Sequence, residues 1–409
     1  MTSFTDPEVL KPFFKVHPIM KVTRIIHPVG QGGFYTETLS NGTEEATFVY
    51  DCGGFDKAKK SMENYLKSFL PKGKKKKQIE AVFISHFHAD HINGLEYLLK
   101  NANVKYLIIP QMTENIMIEA FVYNYSILKD NNSVNSLLVK MYNQAAGETR
   151  TWATNFFQIE AAEDSRVPEE FSSNVLSDEN MELKAWNWDS REVVDLSTQK
   201  LLSQNTMLHC GKWLYLPYNS KVPQTKIAEL KAELKVTSVN MEDLLSSVEK
   251  LTPNECKRIY EKVFGKEHNN SMTLFSGTSE HSFGEYCKRF PDCTDRRLCK
   301  ILHPRRYCNN PNILYTGDFE PEKNMDQMPV FFNKYWGEIA SIQIPHHGSR
   351  NNYNEKLYEH PIRGFVSAGN DNTHHHPDID TIINIRERGC EPIIVTEDKN
   401  SMKIYHYSF

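Results

Sequence analysis

Apolar and polar positions alternate along Lys21-Val22-Thr23-Arg24-Ile25-Ile26-His27, the period of a strand with one buried face. The glycine-rich turn Gly30-Gln31-Gly32-Gly33 returns the chain through a second strand from Phe34 to Leu39, and Asn41-Gly42 turns it into a third from Ala46 to Tyr50. A β-meander therefore opens the fold. Lys57 to Leu70 has helical spacing, and a lysine run from Lys74 to Lys77 leads into the apolar, β-branched stretch Ala81-Val82-Phe83-Ile84. That run reads as a solvated connection, with contact to a substrate phosphate as the functional alternative. Val104 to Ile109 is a further strand, Thr113 to about Phe171 reads as helical and polar, and strand-like patterning resumes at Leu183 to Trp188 and Thr206 to Leu216. Lys226 to Gly265 turns strongly helical; Thr252-Pro253-Asn254-Glu255 has the form of a capping box, and Gly265 marks a stop. Met272 to Phe275 and Ile313 to Tyr315 read as paired strands, and Ile339 to Ile344, Gly364 to Ser367, Pro392 to Thr396 and Met402 to His406 as later ones, with a helix from about Asp378 to Gly389. Strands and helices alternate through most of the chain, so the expected class is α/β. The expected organisation is an extension over residues 1–20 and a domain over 21–409, with insertions at about 111–180, 219–265 and 279–311.

The chemistry is concentrated directly after Ile84, in Ser85-His86-Phe87-His88-Ala89-Asp90-His91. Three histidines and one aspartate within six positions sit on a strand-to-helix loop, since Ile92-Asn93-Gly94-Leu95 reads as a turn into a helix. In an extended segment residues i and i+2 point the same way, so His86 and His88 can serve one cation while Asp90 and His91, at the turn, reach a second. The rival account is a polar loop that happens to be rich in histidine. Three further groups end strands in the same manner: Thr316-Gly317-Asp318, whose carboxylate suits a place between two cations, Pro345-His346-His347-Gly348-Ser349, and His374-His375-His376-Pro377. A strand-terminal aspartate is often a simple cap and a lone histidine is more often structural; the series is what points to a site.

Composition sets the surroundings of such a site. At 409 residues the chain buries an ample core, and its formal charge of −4 offers polyanions no global attraction. No apolar run approaches the roughly 20 residues of a membrane span. Met1 to Asp6 lacks the basic-then-apolar layout of a signal peptide, and the eight cysteines are scattered rather than framed, so a cytoplasmic protein is expected. Cys287, Cys293, Cys299 and Cys308 with His281 and His303 are spaced too widely for the close pairs of a structural zinc site. The basic residues among them, Lys288, Arg289, Arg296, Arg297, Arg305 and Arg306, are better candidates for phosphate contact, against a solvated loop.

Taken in order, these motifs carry a resemblance. Val29-Gly30-Gln31-Gly32, Phe48 to Gly54, His86 to Leu95, Asn269 to Leu274, Tyr315 to Asp318, Ile344 to Ser349 and Val366 to Pro377 resemble metallo-β-lactamase-fold hydrolases, most closely the soluble hydrolase domain of the bacterial competence DNA-uptake channel family. The resemblance implies a four-layer αββα sandwich with helical insertions, two divalent metal ions at one edge of paired sheets, and Asp51 orienting the histidine loop. It implies a first metal on His86, His88 and a third histidine, His268 in preference to His209 or to no histidine at all, and a second on Asp90, His91 and His346, with Asp318 between them. His347 and His376 are the candidate proton donors, and the roles of His346, His347 and His376 can permute among relatives. Histidine at position 88, where the competence-type proteins commonly carry aspartate, favours zinc over manganese. Nothing in the chain is similar to the membrane channel, and the helical insertions are where substrate choice and protein partners are expected.

The reaction that follows is metal-dependent hydrolysis of a phosphodiester in a nucleic acid or nucleotide, with Asp90 among the catalytic groups. Hydrolysis of a carboxylic ester, thioester or lactone is the rival chemistry. A binding or sensor protein with a structural metal site is the rival of another class.

Overall fold

The computed structural model describes residues 20–408 except 56–61, 72, 74, 129–132, 149–150, 163–165, 170, 172–179, 198, 221–223, 237–245, 266–270, 279–309, 371 and 373–374. The strands, in chain order, are β1 (Lys21–Ile26), β2 (Tyr35–Ser40), β3 (Glu45–Tyr50), β4 (Gln78–Phe83), β5 (Asn103–Pro110), β6 (Asn155–Ile159), β7 (Leu183–Asn187), β8 (Glu192–Val194) and β9 (Leu201–Leu202). They continue with β10 (Thr206–Cys210), β11 (Trp213–Asn219), β12 (Met272–Thr278), β13 (Ile313–Tyr315), β14 (Ser341–Gln343), β15 (Arg363–Ser367), β16 (Glu391–Val395) and β17 (Lys403–Ser408). They form two sheets, one ordered β17-β1-β2-β3-β4-β5-β6-β9 and the other β16-β15-β14-β13-β12-β11-β10-β7-β8.

The period of two along each strand assigns its side chains to layers. Phe48, Tyr50, Ala81 and Phe83 point into the space between the sheets, where they meet Tyr215, Leu274 and Tyr315 of the second sheet. Val49, Val82 and Ile84, one position out of phase, face an outer layer with Leu66, Leu98 and Phe121. Leu214, Leu216 and Phe275 do the same on the far side of the second sheet, packing on Phe331 and Ile385. Helix, sheet, sheet and helix are thus stacked as four layers, the α/β sandwich expected from the sequence. The opening meander pairs in register, Arg24 opposite Glu37 and Tyr35 opposite Tyr50.

Among the described residues the helices of seven or more residues are α1 (Glu63–Phe69), α2 (Leu95–Asn101), α3 (Glu114–Ile127), α4 (Ser133–Ala146), α5 (Gln224–Leu234), α6 (Pro253–Phe264) and α7 (Ile379–Glu387), and a single helical turn, Ala89–Ile92, carries Asp90 and His91. The span expected to be helical and polar differs from that expectation. Asn155–Ile159 adds a parallel strand beside β5, and α3 buries Met117, Ile118, Phe121 and Val122 rather than standing free as a polar excursion. Its buried residues, which also include Ile116, Ala120 and Asn124, cover most of its circumference, as in a helix enclosed on several sides. The cysteine-bearing loop falls outside the described residues, and Cys52, Cys210, Cys256 and Cys390 are buried free thiols. Among the described residues no helix is long and apolar enough to cross a membrane.

Candidate metal centre

The parallel strands β3, β4, β13, β14 and β15 release their loops at one edge of the sandwich, the edge at which open α/β sheets present groups to ligands. Two glycines let the loops close on one another. A Cβ at Gly32, whose φ is +142°, or at Gly53 would lie 2.3 Å from the carbonyl oxygen of Asp90, so only glycine permits this approach. Gly33 and Cys52 donate backbone hydrogen bonds to the carbonyls of Asp90 and His91 at 3.2 and 2.8 Å. From α3, the buried Asn124 holds the same loop: its Oδ1 accepts from the amide of Ala89 at 2.8 Å and its Nδ2 donates to the carbonyl of Phe87 at 3.0 Å.

Asp51 directly follows β3 and points its carboxylate beneath the loop. It accepts hydrogen bonds from the Ser85 amide at 2.7 Å and the Ser85 hydroxyl at 2.8 Å, and lies 2.7 Å from His91 Nδ1. A carboxylate accepts, so Nδ1 of His91 carries the proton and Nε2 keeps its lone pair. The same logic runs round the ring of histidines. His86 Nδ1 lies 2.8 Å from the Ser85 hydroxyl and 3.2 Å from that of Ser271, and His347 Nδ1 donates to the Ser367 carbonyl at 2.8 Å. His346 Nδ1 meets Oδ1 of Asn352 at 2.9 Å, whose amide nitrogen in turn bonds the carbonyls of Asp318 and Phe319.

The nitrogens on the other side of these rings converge on two carboxylates. His91 Nε2 is 3.2 Å from Asp318 Oδ1, His86 Nε2 is 3.5 Å from Asp318 Oδ2, and His347 Nε2 is 3.1 Å from Asp90 Oδ2. Among the described residues the buried Nε2 atoms of His86 and His91, and Oδ1 of Asp90 and Asp318, have no hydrogen-bond partner. Lone pairs facing lone pairs in a buried place call for a cation between them. Ligand atoms of His86, His91 and Asp318 lie within 4.8 Å of one another, as do those of Asp90, His91 and His347, and both groups suit nitrogen- and oxygen-binding divalent metals.

Electrostatics agree with this geometry. Burial opposes the charge on Asp318, but His346, His91 and His86 overcome it and hold the carboxyl well below the usual range. Asp90 is likewise depressed, burial being outweighed by His91 and His347. Burial and the neighbouring His91 push His86 down to about 4, so it offers a neutral imidazole. His91 goes the other way: against burial, the carboxylates of Asp318, Asp51 and Asp90 raise it, so that its Nε2 favours a proton where no other cation stands.

The structure brings His86, Asp90, His91, Asp318, His346 and His347 together over Asp51. It differs from the sequence expectation in which of the paired histidines approaches Asp90. His346 and His347 both have left-handed backbones, φ +46° and +55°, which swing His347 to Asp90 and leave His346 Nε2 3.8 Å from Asp318 Oδ2. His376 stands half-buried at the rim, its ring 5.6 Å from that of His346. His88 lies beside His86 at 4.5 Å between ring centres, but its Nε2 is 3.0 Å from Glu119 Oε1 and its ring stacks on Tyr123. His268 lies outside the described residues. His209, on β10, donates to the carbonyl of Gly211 and belongs to neither ligand group. The lysine run precedes the strand whose far end carries the site, and there Lys76 bonds the Lys100 carbonyl while Lys77 lies over Phe69. Nothing in the sequence assigns a role in the site to Ser85, Ser271, Asn352, Asn124 or Glu119. Of these, only Ser85 and Ser271 stood beside residues already singled out.

The family model of the metallo-beta-lactamase superfamily matches residues 40–122, the stretch from the end of β2 through the histidine loop into α3. No curated protein matches the sequence. Among solved structures, the metallo-beta-lactamase fold protein YhfI from Bacillus subtilis aligns with a TM-score of 0.38 and 10% identity over 94% of this chain and 99% of its own. Unliganded yeast PDE1 aligns with a TM-score of 0.31 and 10% identity over 94% of this chain and 91% of its own.

Proposed function

We propose that the chain, whose residues 40–122 match the metallo-beta-lactamase superfamily model, is a metal-dependent hydrolase acting on phosphodiesters. The observation that supports this reading is the set of buried atoms that have no hydrogen-bond partner among the described residues, His86 Nε2, His91 Nε2, Asp90 Oδ1 and Asp318 Oδ1, gathered at the sheet edge. His86, His88 and Asp318 would hold one ion, and Asp90, His91 and His347 the other. A pair of divalent ions lowers the pKa of water toward neutrality and neutralises charge on a phosphoryl oxygen. The protein's own task is orientation. Asp51 keeps His91 in its Nδ1-protonated tautomer, Ser367 does the same for His347, and the ionised Asp318 stands between the two groups. Either His376, whose ring lies 5.6 Å from that of His346, or His347 would give a proton to the departing oxygen. What supports a phosphodiester over an acyl substrate is the likeness of the motif series to competence-type hydrolases, and histidine rather than aspartate at position 88 favours zinc.

Purified protein loaded with zinc or manganese should cleave bis-nitrophenyl phosphate, a DNA strand or a cyclic nucleotide. Asp90→Ala should lose that activity by about a hundredfold or more, since a ligand and a buried charge vanish together. Turnover of acyl esters alone would replace the substrate class, and stoichiometric metal with no turnover of any of these would favour the sensor reading.

A further inference from the structure

Glu119 has no place in the ligand groups, yet it sits half-buried beside them. It projects from α3 on the same face as Tyr123, four residues on, and that face lies against the histidine loop. One oxygen, Oε1, faces two donors: His88 Nε2 at 3.0 Å and the hydroxyl of Tyr260 at 2.6 Å, which comes from α6. Tyr123 fills the corner between them, stacked on His88 with ring centres 3.6 Å apart and set 5.1 Å from Tyr260.

A carboxylate only accepts, so Glu119 places the His88 proton on Nε2 and makes Nδ1 the nitrogen that carries the lone pair. This reverses the arrangement of His86, His91, His346 and His347, whose Nδ1 atoms are the ones engaged by protein oxygens. Left to itself, a neutral imidazole would divide between tautomers and rotate about its own axis. Here stacking sets the plane and the carboxylate sets the proton.

Resting on the metal-binding reading above, we propose that Glu119 and Tyr260 are positioning residues for the ion that His88 would hold, and that through them α6, distant in sequence from the histidine loop, sets the affinity of that ion. Glu119 makes His88 Nδ1 a stronger donor by sharing the Nε2 proton, and Tyr260, hydrogen-bonded to the same oxygen, keeps the carboxylate aimed. The device links three segments far apart in sequence: the loop after β4, α3 and α6.

The test compares the full-length chain with Glu119→Ala, Glu119→Gln and Tyr260→Phe. Zinc affinity is read by competition with a chromogenic chelator, and the nitrogen shifts of His88 are read by NMR in metal-free protein. Expected are a 10- to 100-fold weaker binding of one ion in Glu119→Ala, roughly the cost of losing an outer carboxylate, a smaller loss in Tyr260→Phe, and native affinity for the other ion. Metal-free wild type should show His88 protonated at Nε2, and Glu119→Ala a mixture of tautomers. Native affinity for both ions with an unchanged tautomer overturns the proposal, and so does an equal loss at both ions with the tautomer unmoved, which would mark a packing role. Should Glu119→Ala fail to fold, the near-isosteric Gln and Phe variants carry the same comparison. A wild type that binds no divalent ion removes the hydrolase reading, while the tautomer of His88 still decides the role of Glu119.

Discussion

His27 shows at the scale of one residue how burial becomes a pH dependence. Its ring is enclosed by Phe34, Tyr65 and Phe69, with Nδ1 2.8 Å from the Tyr65 hydroxyl and Nε2 2.9 Å from that of Thr36. Burial, helped by the nearby Lys77, lowers its pKa from 6.5 to about 3. The unfolded chain binds this proton more readily, so the contribution of His27 to stability is complete above pH 6.5 and is lost as pH falls toward 3. In thermal denaturation of metal-free protein, His27→Gln should therefore give a flatter melting temperature between about pH 6 and pH 4 than the wild type does. An equal slope in both would show that this imidazole is solvated. At this scale the sequence was legible where donors are contiguous. His86 to His91 needs only the period of an extended loop to be read as a group. The choice between His346 and His347 was not legible, because it turns on two successive left-handed residues that redirect both side chains. Glu119 was hidden for a different reason: no spacing within α3 tells which surface the helix covers.

Among the elements, α6 is the one whose start was written out in full. Thr252 Oγ1 accepts from the amide of Glu255 at 3.3 Å, and Glu255 Oε2 accepts from the amide of Thr252 at 2.6 Å, the reciprocal pair expected from Thr-Pro-Asn-Glu. Thr252→Ala should cost about 1 kcal/mol in urea denaturation, with the slope of the transition unchanged. A loss below a few tenths would mean that packing of Tyr260, Val263 and Phe264 holds the helix without its cap. β6 escaped notice because its five residues offer little periodicity. Phe156 faces the outer core while Phe157 and Ile159 face the space between the sheets, so both faces are apolar and the segment reads equally well as part of a buried helix.

At the level of the whole molecule, the space between the sheets holds a charge pair that the alternating pattern concealed. Arg24 falls in phase with Val22 and Ile26, facing inward, and its Nε donates to Glu37 Oε1 at 2.7 Å from the adjoining strand. Glu37 also accepts from Ser276 at 2.6 Å and Tyr315 at 3.0 Å, while Arg24 donates to the Pro311 carbonyl at 2.7 Å, so the network crosses from one sheet to the other. Arg24→Leu or Glu37→Leu alone leaves a buried charge uncompensated and should cost about 3–5 kcal/mol by denaturant titration. The double variant should recover a good part of that loss, and a double variant as poor as the sum of the singles would show that the hydroxyl partners, rather than the pair, carry the stability. The meeting of Asp90 with His347 spans 257 positions, one partner from each sheet. A ribosome must therefore deliver the second sheet before these two side chains can meet, so a metal held by both would have to wait for His347 to arrive, and until then the histidine loop would offer it only an open and weaker set of ligands.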